Sequence, residues 1–139
     1  MDPRADAAPT GLGRAPEPGL AIAGALSAGM GLFHFFLPPL FHWDAILAPA
    51  PTLRWGVPLI NASFSYLLLA GGVITLVIAF RPALKRGVGG WLIAAMAGYW
   101  VLNAVWQVVL PMPIPRALAH LRWAFLGYGL AVALLYASA

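Results

Sequence analysis

Four apolar runs, each about twenty residues long and separated by short segments rich in proline, glycine and basic residues, constrain this chain more than any other feature. A hydrocarbon core about 30 Å thick is crossed by roughly 20 helical residues, and within it only helices or closed barrels satisfy their own backbone groups. Barrel strands alternate polar with apolar residues, and these runs do not. The sequence therefore predicts an all-α polytopic membrane protein, a bundle of four transmembrane helices with spans at about 20–37, 59–80, 91–110 and 117–137. Hydrophobic residues make up 62% of the chain and charged residues 9%, well beyond the roughly 45–50% apolar share of a soluble domain. The excess apolar surface is expected to face lipid.

Residues 1–18 hold Pro3, Pro9, Pro16 and Pro18 with mixed charges and no apolar periodicity. They are expected to form a disordered tail ahead of a transmembrane domain at 19–139. Asp2, Asp6 and Glu17 precede the first span, where a signal peptide would carry basic residues, so that span is expected to be retained. Arg81, Lys85 and Arg86 crowd the turn between the second and third spans, which the positive-inside rule places in the cytoplasm. An even number of spans then puts both termini there too, in the inner (cytoplasmic) membrane of a bacterial-type cell. The formal charge of +4 would suggest nucleic acid in a soluble protein, but the basic residues are dispersed through loops beside the spans, and no nucleic-acid partner is expected. The absence of cysteine excludes disulfides and thiolate chemistry.

Within each span one helical face gathers small or polar residues: Ser27 and Gly31 in the first, Asn61, Ser65, Gly72 and Thr75 in the second, Tyr99, Asn103 and Gln107 in the third, His120 and Gly127 in the fourth. In lipid, small residues let helices approach and polar ones bond across the interface. Ser27, Gly31, Ser65, Gly72 and Gly127 are accordingly read as helix-packing positions. The six tryptophans, with neighbouring tyrosines, are read mostly as interfacial anchors. The linker between the first two spans, 38–58, is rich in proline and holds an apolar segment around 41–47 that fits a short helix lying at the interface.

The chemistry gathers at the end of the bundle away from the basic turn. His34, Asn61, Asn103, Gln107 and His120, with Arg54, Arg116 and Arg122, fall at similar depth there and form a candidate ligand-binding cluster for a lipid, a quinone or a haem. His34 and His120, entering from different helices, have the chemistry of axial haem ligands. His34, His42, Asp44 and His120 supply the ligand types of a metal site, although His42 and Asp44 stand only two apart in a linker. The plainer reading makes each histidine a helix-end residue and each arginine a snorkelling side chain. No carboxylate lies within a span, so acid–base catalysis and proton-coupled transport find little support. No catalytic residue and no obligatory cofactor are predicted.

The run His34-Phe35-Phe36-Leu37-Pro38-Pro39-Leu40-Phe41-His42-Trp43, the later Trp106-Gln107 pair and His120 opening the last span resemble a group of small bacterial four-helix membrane proteins with no assigned activity. The chain departs from that pattern at Pro39, where the resemblance leads one to expect arginine. What the resemblance implies is fold and location, not chemistry. The resulting expectation is a non-catalytic protein, a small accessory or structural subunit of a larger membrane complex, with lipids and other membrane subunits as partners. A homo-oligomer is compatible with the same composition, and the alternative is a membrane protein that binds a lipid, quinone or haem at its polar end.

Overall fold

The computed structural model describes residues 15–110 and 118–139. Residues 1–14 of the tail expected over 1–18, and Arg116 with the start of the expected fourth span, lie outside the described residues. The end of that tail is ordered instead, with Pro18 opening α1 and Glu17 bonded to Ala79 and Lys85. In chain order the elements are α1 (Pro18–Phe35), the single turns α2 (Leu37–Leu40) and α3 (Trp43–Ile46), α4 (Pro51–Phe80), a 3₁₀ turn (Pro82–Lys85), α5 (Val88–Val109) and α6 (His120–Ala137). Three of these helices, α1, α4 and α5, are long and apolar enough to cross a membrane.

The four long helices alternate in direction and close into a ring. The backbone N–H of Glu17, at the start of α1, donates to the Ala79 carbonyl at the end of α4. The closest packing is within two helical hairpins, α1 with α4 and α5 with α6, and α6 returns beside α1. Glycine sets the first hairpin. A Cβ added at Gly72 would lie 2.4 Å from the Ala28 backbone nitrogen, and one at Gly31 would lie 2.5 Å from that of Leu69, so only hydrogen fits between the two backbones. A left-handed residue, Gly87 (φ 69°), starts α5.

Two expectations change here. Helix α4 begins at Pro51, eight residues before the expected edge, and carries Pro58 inside it. Proline without a backbone N–H reads as a helix start, yet this helix runs through Pro58, and the Arg54 carbonyl four residues back loses its usual donor. At about 1.5 Å per residue the 30-residue helix is near 45 Å long, longer than a hydrocarbon core, and its first turns project past the end of α1, whose His34 carbonyl meets Asn61. Gly127 is exposed, with open space where its Cβ would stand. The buried face of α6 runs instead through Gly129, Val132, Ala133 and Tyr136, on the opposite side of the helix.

Candidate functional site

The interior is polar at its centre and closed. Ser27 of α1, Thr75 of α4, Trp100 of α5 and Tyr136 of α6 are all buried and joined by hydrogen bonds. Trp100 Nε1 donates to Ser27 Oγ at 2.9 Å, Tyr136 Oη lies 3.1 Å from Ser27 Oγ and 3.2 Å from Thr75 Oγ1, and Thr75 Oγ1 donates to the Gly71 carbonyl at 2.7 Å. A carbonyl only accepts, so the Thr75 proton belongs to Gly71 and the Tyr136 proton to Thr75. The Ser27 proton then goes to Tyr136, and Ser27 accepts from the indole. Each hydroxyl gives once and takes once, and each of the four helices contributes one side chain. Tyr128 Oη adds a bond to the Leu26 carbonyl at 2.7 Å and packs its ring 5.5 Å from that of Trp100.

At one end, Lys85 gathers three chain segments. Its Nζ lies 2.9 Å from Glu17 Oε2 at the start of α1 and also donates to the carbonyl oxygen of Ala139, just past α6. Arg81 and Arg86 flank it and are exposed.

The opposite end carries the residues singled out for ligand chemistry, and the structure divides them. Asn61 Nδ2 donates to the His34 carbonyl at 2.8 Å, tying α4 to the last turn of α1 through the backbone of His34. Ser65 Oγ closes onto the Asn61 carbonyl at 2.6 Å. The imidazole of His34 meets Phe33 edge-on at 6.3 Å between ring centres. Asn103 and Gln107 are half-buried on α5, flanking the buried stripe of Met96, Trp100 and Ala104, and the Asn103 amide oxygen borders Gly129 of α6. His120 is exposed and Arg122 half-buried in the first turn of α6. Among the described residues no three histidine, aspartate or glutamate side chains gather as a metal site. The quartet His34, His42, Asp44 and His120 is therefore not assembled.

Three of the candidates do meet. His42, Asp44 and Arg54 line an open cleft of about 500 Å³ between the α2–α3 linker and the projecting turns of α4. Its walls are completed by Trp43 and by Pro38, Pro39 and Pro58. His42 holds a left-handed backbone (φ 49°, ψ 47°), which reverses the chain between α2 and α3 and turns the linker over the start of α4. Asp44 and Arg54 face the same cleft with opposite charge, and no ion pair within 4.0 Å joins them. Around this end stand the exposed rings of Trp55, Trp106 and Trp123.

The aromatic residues divide in a way the sequence reading missed. Trp100 and Tyr136, each 2% exposed, are core residues and not interfacial anchors. Depth was the available signal for Trp100, since it stands in the middle of its span, where no interface exists. No protein-family model, curated protein or solved structure matches the chain.

Proposed function

We propose that this chain is a non-catalytic integral membrane protein with four spans and both termini in the cytoplasm, acting as a small accessory subunit that docks in the membrane plane against a larger assembly. The observation that carries the reading is the contrast between a polar centre whose groups are mutually satisfied and an apolar exterior. Along α5 the side chains of Val101, Leu102, Val105, Val108 and Val109 are all exposed, with Trp106 among them. An outer face of β-branched and leucine side chains offers area to lipid or to another apolar helix and no reactive group.

Helix α6 completes the membrane domain on this reading. It packs antiparallel into the ring and buries Tyr136 among the other three helices. His120 and Arg122 in its first turn lower its hydropathy, and long basic side chains at a helix end reach the interface.

Three measurements test the proposal. After extraction in a mild detergent, the native particle is expected to be far heavier than the 14.7 kDa chain, with one other polypeptide in fixed ratio. A photo-crosslinking residue at Leu102 or Val105 is expected to trap that polypeptide; a monodisperse monomer without crosslinks would discard the accessory role. Because the chain has no cysteine, single cysteines at Arg81 and Asp44 report topology directly. They are expected to label from opposite sides of the membrane, Arg81→Cys from the cytoplasm.

A further inference from the structure

We infer that the cleft between the α2–α3 linker and the first turns of α4 binds the headgroup of a zwitterionic aminophospholipid, with Arg54 on the phosphate and Asp44 on the ammonium. This is separate from the docking role and stands or falls without it.

Opposite charges that share a cleft without pairing call for a ligand carrying both signs at a fixed separation. A lone anion would meet the Asp44 carboxylate, and a lone cation the Arg54 guanidinium; a phosphoethanolamine group offers each its complement. Guanidinium binds phosphate oxygens through parallel N–H donors, the geometry that favours arginine over lysine. On the other side Trp43, adjacent to Asp44 and also in the cleft wall, adds an aromatic face for the ammonium. A further acceptor comes from the helix itself. Pro58 has no N–H, so the carbonyl of Arg54, four residues back, lacks its helical donor, and both residues border the cleft.

Shape and position agree with a lipid source. The cleft volume of about 500 Å³ lies within the roughly 300–1,000 Å³ of small-molecule sites, and three of its wall residues are prolines, which hold the site open before the ligand arrives. Leu40, Phe41 and Ile46, on the linker beside it, are more than half exposed. They provide apolar surface for glycerol and acyl carbons next to the polar cleft. A soluble compound would have no use for that surface.

The test uses the whole protein, purified in detergent and given equal amounts of dioleoyl phosphatidylethanolamine and dioleoyl phosphatidylglycerol, with retained lipid counted by native mass spectrometry. Phosphatidylethanolamine is expected to be retained preferentially, as a single adduct. Arg54→Gln is expected to reduce its retention about tenfold, and Asp44→Asn to reverse the preference toward phosphatidylglycerol. Both side chains are exposed, so thermal unfolding of the variants should match the parent; should either variant fail to fold, phosphatidylcholine decides with the unaltered chain. Its quaternary ammonium donates no hydrogen bond to Asp44 and is expected to bind several-fold more weakly. Equal retention of the three lipids by the parent protein would overturn the inference. Displacement of the lipid by an equal concentration of free phosphoethanolamine would overturn the lipid source, and an adduct that persists against it supports that source.

Discussion

At the centre of the bundle, four side chains from four helices pair their polar atoms with one another and with the Gly71 carbonyl, whereas at the α1–α4 turn an aspartate and an arginine face a common cleft without meeting. The two regions hold similar numbers of polar groups and differ in closure. Buried hydroxyls and an indole N–H must be paired, because each unsatisfied group costs about 1–3 kcal/mol. Groups in an open cleft can keep water, and so remain available. The centre therefore defines which helices meet and in what register, and the cleft is where this molecule has binding capacity left over.

The largest effect is expected from the backbone contact that brings the network together. Gly72→Leu and Gly31→Leu place a side chain where even a Cβ would meet backbone at 2.4 and 2.5 Å, and backbone cannot step aside. The α1–α4 hairpin should separate, with a loss of about 3 kcal/mol or more and a collapse of the monodisperse particle on size exclusion. Gly71→Ala is the contrast. Its Cβ would meet the Met96 sulfur at 2.7 Å, the flexible end of a side chain, so a shift of only a few degrees in melting temperature is expected.

Next in size is the network itself. Tyr136→Phe keeps the ring and removes the hydroxyl that links Ser27 to Thr75, leaving Ser27 with a proton and no acceptor. Thr75 keeps its bond to Gly71. A destabilisation of about 1–2 kcal/mol is expected, at the upper end of values for hydrogen bonds between membrane helices. Tyr128→Phe should cost less, since the Leu26 carbonyl that it serves also belongs to the α1 helix. Chemical denaturation of both variants in one detergent ranks them.

The number of long helices and the small-residue faces of the first two spans follow from hydropathy and spacing, because lipid imposes those patterns on sequence. The single short helix expected around 41–47 is instead two turns, α2 and α3, split at His42. Gly31, Ser65 and Gly72 lie buried between α1 and α4, and Ser27 is buried against Trp100 and Tyr136. The last span was less legible. His120, Ala124, Gly127 and Ala131 share one face and Gly129, Ala133 and Tyr136 the opposite one, and both contain small residues. Which face turns inward depends on what Ser27 and Thr75 need from across the bundle, a tertiary demand that no local pattern carries. Tryptophan and tyrosine were ambiguous for a related reason: an amphipathic ring suits an interface or a satisfied interior equally well. Depth alone groups the candidate ligand residues toward one end, with Arg116 outside the described residues. Depth does not give azimuth, and the cleft that Arg54 lines is bordered by none of His34, Asn103 and His120.

A smaller effect is expected at the Lys85 clamp. Both partners of the pair are about a third exposed, at 31% and 33%, so solvent screens the attraction. Lys85→Met should lower stability by less than about 1 kcal/mol, and added salt should shrink the difference. A loss several times larger would mean that the contact with the Ala139 carbonyl, and not the ion pair, holds the ends of α1 and α6 together.

The smallest effect discriminates best between the two kinds of site. In a double-mutant cycle, Glu17→Gln and Lys85→Met should show coupling in detergent alone, because those side chains touch. Asp44→Asn and Arg54→Gln should be additive under the same conditions, within about 0.5 kcal/mol, because those side chains do not. With phosphatidylethanolamine present, one ligand bridges Asp44 to Arg54, and losing either group weakens what the other holds. Coupling should then appear at the cleft and leave the Glu17–Lys85 cycle unchanged. If both cycles respond to lipid alike, the lipid acts on the bundle as a whole, and the distinction between a completed polar centre and an unfilled polar cleft loses its functional meaning.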